Sequence, residues 1–137
     1  MTSEERAMFS WPPGYFGSFR KDEKDAPYFP LLSDFTDPSW DVAERDRVLN
    51  YLNTAPGALA SSGMSSCFIC GAAIPAAVYK SDGEWLWHVS LTHLIECHQV
   101  RVPNEFVESI RRRDYTPPSK CPVPVKDLPW PLPPDRR

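Results

Sequence analysis

Residues 64–71 read Met-Ser-Ser-Cys-Phe-Ile-Cys-Gly and place Cys67 and Cys70 on one tight Cys-x-x-Cys turn. Two histidines, His93 and His98, follow on a stretch with helical spacing. Such a turn supplies two thiolates and the histidine pair supplies two imidazoles, which completes the four ligands of tetrahedral zinc. The order of cysteine turn, hairpin and histidine helix is typical of Cys2His2 fingers, although 22 residues separate Cys70 from His93. The sequence therefore predicts one structural zinc ion.

Two other residues compete for the fourth ligand position. On an ideal helix, Cys97 lies about 40° from His93, whereas His98 lies about 140° away. Ideal geometry therefore favours Cys97, unless a last turn tightened to a 3-10 shape brings His98 round. His88 is also within range, but it belongs to the strand that precedes the helix. Cys121 lies among prolines and is expected to be an unpaired thiol.

Proline divides the chain of 137 residues into three parts. Of the 16 prolines, eight fall within residues 115–137 and five within residues 11–38. We expect an extended aromatic and proline-rich arm at 1–36, a zinc-stabilised core domain at 37–114 and a proline-rich tail at 115–137. A core of this size often needs a staple such as a structural metal.

The predicted fold class is α+β, with a small zinc-finger-like ββα core, two or three additional helices and extended proline-rich termini. Asp37-Pro38 suits a helix start, and Ser81-Asp82-Gly83 is a turn signal. Residues 57–66 are small and predict a short helix or loop. The other expected elements are helices at about 38–53, 91–100 and 105–113 and strands at 77–79 and 84–87.

Composition and motifs restrict the class of function. The net charge is −3, and no signal peptide or membrane-spanning stretch is visible, so a reducing, cytoplasmic setting is expected. There a Cys pair favours metal over a disulfide, and no βαβ pattern supports a thioredoxin-like redox pair. A filled zinc shell and the absence of any His-Glu-x-x-His motif argue against an enzyme. The predicted histidine helix has no Lys or Arg, so nucleic acid is an unfavoured partner.

The aromatic residues of the two ends allow two interpretations. They can cover the small core, or they can anchor a partner protein, since aromatic side chains are favoured at interfaces. The candidate anchors are Trp11, Tyr15 and Phe19 in the arm and Trp130 in the tail. The basic run Arg111 to Arg113 suits a helix C-terminus, with a phosphate or acidic partner as the alternative.

Several motifs together resemble a family of small bacterial proteins whose function is not assigned. They are Tyr51-Leu52, the segment Gly63 to Gly71, Asp82-Gly83 followed by Trp85 and Trp87, the His93 to His98 pair, and Val100 to Phe106. The resemblance covers roughly residues 35–108 and implies His93 and His98, rather than Cys97, as ligands. Phe68 stands where the family usually has Arg, and His88 follows Trp87 where the family has Pro.

These observations predict a zinc-binding, non-enzymatic protein that acts by binding another protein. An adaptor, or an immunity protein that neutralises a toxin, is one concrete form of this hypothesis. The alternative is a nucleic-acid-binding zinc-finger protein.

Overall fold

The computed structural model describes residues 14–20 and 29–131 of the chain. Within them lie three α-helices and two small antiparallel sheets, which confirms the α+β class. The helices are α1 (Val42–Thr54), α2 (Ser90–His98) and α3 (Asn104–Arg112). The strands are β1 (Gly57–Ala60), β2 (Met64–Ser66), β3 (Ala73–Pro75), β4 (Val78–Ser81) and β5 (Leu86–His88). Short 3-10 helices cover Leu32–Phe35 and Val125–Asp127.

Strands β1, β4 and β5 form one antiparallel sheet in that order. The predicted turn joins β4 to β5, so the expected hairpin is confirmed. Strand β1 lies in the segment for which a short helix or loop was expected, and that expectation is wrong. Its residues, Gly57 to Ala60, have weak intrinsic strand preference, and pairing with β4 makes them a strand.

Strands β2 and β3 form a second, two-stranded sheet that the sequence did not reveal. Ser66 pairs with Ala73, and the Cys-x-x-Cys turn closes the end of this hairpin. We call residues 64–75 the cysteine hairpin. All three residues of β2 are exposed, so this hairpin has little apolar packing of its own.

Helix α1 begins at Val42, four residues later than predicted. Its N-cap is Asp41, whose side chain accepts a 3.0 Å hydrogen bond from the Glu44 N–H. Asp37 instead holds a turn, because its carboxylate accepts from the N–H of Ser39 at 2.9 Å. The same carboxylate pairs with Arg101 at 2.7 Å, which joins the start of the core to the segment after α2.

Apolar side chains pack on both faces of the three-stranded sheet. Trp87 faces the main cluster, which all three helices supply with buried side chains. Leu86 points to the opposite face, as alternation along a strand requires. There it meets Tyr15, Ala58 and Leu128, which we call the tail-side cluster.

The described parts of the two ends contribute to this packing. A parallel β-bridge joins Tyr15 to Leu86, and the N–H of Phe16 donates to the Leu86 carbonyl at 3.1 Å. Phe16 is buried in the main cluster and Tyr15 in the tail-side cluster. No helix among the described residues has the length and apolarity that crossing a membrane requires.

Candidate metal centre

The four predicted ligands meet at one point of the structure. One side-chain ligand atom from each of Cys67, Cys70, His93 and His98 lies within 4.8 Å of the other three. Cys70 Sγ lies 3.3 Å from His93 Nε2, and Cys67 Sγ lies 3.6 Å from His98 Nε2. In tetrahedral zinc sites, with Zn–S about 2.3 Å and Zn–N about 2.0–2.1 Å, such S···N edges measure about 3.5–3.6 Å. The group therefore has the donor set and spacing to hold a metal ion.

The cysteine turn is built by its own backbone. The Cys67 N–H donates to the Ala72 carbonyl at 2.8 Å, and the Gly71 N–H donates to the Cys67 carbonyl at 2.9 Å. Gly71 has a φ of 77°, a left-handed conformation that favours glycine. These bonds fix both sulfur atoms on the side that faces α2.

Backbone dipoles favour the thiolate form of Cys67. Burial alone would raise the pKa of this thiol, but the N–H groups of Cys70 and Ile69 and the Cys70 side chain outweigh it, so the pKa of Cys67 lies below its usual value. A thiolate is the form that binds metal. Cys67 is buried, Cys70 is exposed and the two histidines are partly buried, so the centre lies at the rim of the core.

The end of α2 explains how His98 reaches the same side as His93. The N–H of Gln99 donates to the Leu94 carbonyl five residues back, and Val100 donates to the same carbonyl at 3.2 Å. A turn closed over five residues advances fewer degrees per residue than an ideal α turn. The widening affects residues 94–99, and the imidazole rings of His93 and His98 lie with their centres 5.1 Å apart. The predicted tightening to a 3-10 shape is therefore wrong, because the last turn is widened instead.

The two rival ligands lie elsewhere. Cys97 is exposed and outside the group. His88 is buried, and its Nδ1 accepts a 3.0 Å hydrogen bond from the Ser90 N–H. Nε2 therefore carries the proton and donates to the Ala76 carbonyl at 3.0 Å. Burial lowers the pKa of His88 despite this carbonyl, so a neutral, fully bonded imidazole is structural here.

The expected partner anchors have different surroundings. Trp11 lies outside the described residues. Tyr15 is fully buried within its own chain, which corrects the expectation that it contacts a partner. Phe19 is partly buried and packs edge to face on Phe16. Trp130 is partly buried against Tyr79, with ring centres 5.1 Å apart, and donates to the Val125 carbonyl at 2.7 Å.

A cleft of about 270 Å³ opens beside the metal centre, and sequence reasoning did not foresee it. Cys67 and His93 line one part of it. The arm supplies Phe19 and Phe29 to its lining, and the cysteine hairpin supplies Phe68. Only the aromatic content of these segments hinted at such a site.

Comparison with protein-family models, with characterised proteins and with solved structures finds no match to this chain. The resemblance to the bacterial family stays a prediction. What the fold and the site define is an α+β protein with a two-cysteine, two-histidine group arranged for a metal ion.

Proposed function

We propose that this chain is a small zinc-binding protein whose metal has a structural role. The observation that carries the proposal is the meeting of two thiols and two imidazole nitrogens within 4.8 Å. This mixed sulfur and nitrogen set is the one that zinc prefers in structural sites. Four protein ligands leave no open position, whereas a catalytic zinc keeps one for water or substrate.

The cysteine hairpin supports a structural role for the metal. A two-stranded hairpin is marginally stable in water unless something else holds it. Its strands have three residues each, and β2 is exposed throughout. A metal that joins Cys67 and Cys70 to the histidines of α2 would attach this hairpin to the core.

A non-enzymatic protein that binds another protein is the function we propose for the whole chain. The nucleic-acid alternative loses support, because the basic run at the end of α3 is paired with carboxylates. Arg111 pairs with Glu44 at 2.5 Å, and Arg112 pairs with Glu84 at 3.2 Å. The guanidinium of Arg113 lies 3.8 Å from the buried Asp82. An adaptor or an immunity protein is the concrete form of this proposal.

Metal analysis and partner capture test the two parts of the proposal separately. Freshly purified protein should contain one zinc per chain, and a chelator should lower its melting temperature. Capture from the host of origin, with metal-loaded and chelated protein side by side, should then yield a protein partner only with the loaded form. A folded, metal-free protein with an unchanged melting temperature would refute the structural zinc. A recovered nucleic acid in place of a protein would refute the proposed partner class.

A further inference from the structure

The cysteine hairpin belongs to an uncharged run of the chain. The chain contains 24% charged residues, yet residues 48–79 include no Asp, Glu, Lys or Arg. Much of this run is at the surface, since residues 59–66 and 68–71 are all exposed. Charged side chains normally cover such exposed positions, and a surface depleted of them is a property of interface cores.

Large apolar side chains are exposed on the same run. Met64 is 65% exposed, Phe68 39% and Ile69 45%. All three belong to the cysteine hairpin, and Phe68 also lines the cleft beside the metal centre. Exposed apolar groups gathered in one place mark interaction sites more often than single exposed residues do.

Among the described residues, those that line the cleft include no Asp, Glu, Lys or Arg. Its apolar walls come from Phe19, Phe29, Phe68 and Tyr79, and its polar groups are hydroxyls and imidazoles. A volume of about 270 Å³ suits one bulky side chain. A neutral, aromatic cleft disfavours a charged occupant, because a charge would lose its hydration without gaining an ion pair.

We infer that the cleft and the exposed side of the cysteine hairpin form a docking surface for an uncharged segment of a partner protein. One aromatic or large aliphatic side chain of that segment enters the cleft, and its neighbours cover Phe68 and Ile69. An uncharged occupant is chosen because neither the described lining of the cleft nor the cysteine hairpin has a charged side chain. The inference rests on the proposed interaction function and adds the place of contact and the chemistry of the partner.

A bound metal would hold the exposed side chains of the cysteine hairpin in place. Phe68 and Ile69 lie between Cys67 and Cys70, so the ligands on either side fix the turn that presents them. Phe19, which also lines the cleft, packs on Phe16 of the main cluster. Loss of metal should therefore displace one wall of the cleft and leave the other.

A random peptide library displayed on phage tests the inference with metal-loaded protein as bait. Enriched peptides should share a bulky apolar residue flanked by uncharged ones. When such a peptide is added, the NMR chemical-shift changes of the protein's backbone amides should map to the cleft and the cysteine hairpin. Phe68→Ser should weaken binding of such a peptide at least tenfold. Val42→Ser is the matched control, because Val42 is 58% exposed on α1, outside the docking surface, and its loss should leave binding unchanged.

The metal content of Phe68→Ser and the dispersion of its backbone amide NMR signals must equal those of the parent protein. A loss of peptide binding then comes from the docking surface and not from a lost zinc site or an unfolded chain. Enrichment of charged peptides, no enrichment at all, or equal losses in the two variants would overturn the inference. Self-association of the parent protein that Phe68→Ser abolishes would also overturn it, since a second copy would then be the occupant.

Discussion

The Nε2 atom of His98 lies 3.6 Å from the Sγ atom of Cys67, although His98 is the last residue of α2. An ideal helix would turn His98 about 140° away from His93. In the structure the last turn is widened, and the imidazole rings of His93 and His98 lie with their centres only 5.1 Å apart. The choice between His98 and Cys97 therefore depends on backbone hydrogen bonds at the end of the helix.

The first prediction concerns these adjacent residues. His98→Ala should weaken zinc binding tenfold or more, because one of four ligands is lost. Cys97→Ala is the matched control and should retain one zinc per chain, since its thiol is exposed and outside the group. Competition with a chromogenic chelator measures both affinities. The opposite order would show that the helix end winds as an ideal helix in solution.

A second prediction concerns Gln99, which ends α2 with a φ of 60°. A side chain in this left-handed conformation costs about 1 kcal/mol, and glycine avoids that cost. Gln99→Gly should therefore raise the free energy of unfolding by roughly 0.5–1 kcal/mol with unchanged zinc affinity. Gln99→Ala, which keeps a β-carbon, is the comparison and should bring no such gain in urea denaturation.

Three of the four metal ligands could be predicted from the sequence because their spacing is local. Cys67 and Cys70 share one turn and His93 follows on one helix, so short-range geometry suffices for these three. For the fourth position ideal helix geometry favoured Cys97, and only the resemblance to the bacterial family implied His98. Strand β1 could not be predicted, since Gly57 to Ala60 become a strand only by pairing with β4, about 20 residues on. The β2–β3 pair escaped prediction for a related reason, because its three-residue strands are set by the cysteine turn between them.

A third prediction concerns a buried hydrogen bond between α1 and the β4–β5 turn. The Tyr51 hydroxyl donates to the Asp82 carboxylate at 2.7 Å, and both side chains are fully buried. Asp82 also accepts from the N–H groups of Glu84 and Trp85. Tyr51→Phe removes one donor from a buried carboxylate and should cost roughly 1–3 kcal/mol in urea denaturation. Zinc content should not change, and its loss would show that this bond also supports the metal centre.

The fourth prediction uses the lowered pKa of His88. The fold favours the neutral imidazole, so His88 stabilises the folded state at pH values above its pKa in the unfolded chain, about 6.5. This stabilisation is lost as the pH falls through the lower pKa that His88 has in the folded protein. At pH 7.5, His88→Leu should cost roughly 1–3 kcal/mol by leaving the Ala76 carbonyl and the Ser90 N–H without a partner.

The difference in unfolding free energy between His88→Leu and the parent protein should shrink as the pH falls from 7.5 to 5. Acid also protonates the metal ligands, but that effect is common to both proteins and cancels in the difference. A difference that grows at low pH would mean that His88 is charged in the fold.

The fifth prediction concerns the tail, for which the sequence left partner binding and self-covering open. Leu128 is 5% exposed and packs with Tyr15 and Leu86. Burial of a leucine contributes about 2–3 kcal/mol, so removal of residues 126–137 should lower the free energy of unfolding by at least that amount. Leu128→Ala should reproduce most of the loss. Val125→Ala is the control, because Val125 is 44% exposed, and it should stay within about 0.5 kcal/mol of the parent protein. Zinc content should stay at one in all three proteins, because none of the four residues of the metal centre belongs to the tail-side cluster. If removal of residues 126–137 left stability unchanged, Leu128 and Trp130 would be free to bind a partner, and the tail would regain the role that their packing against Tyr15 and Tyr79 argues against.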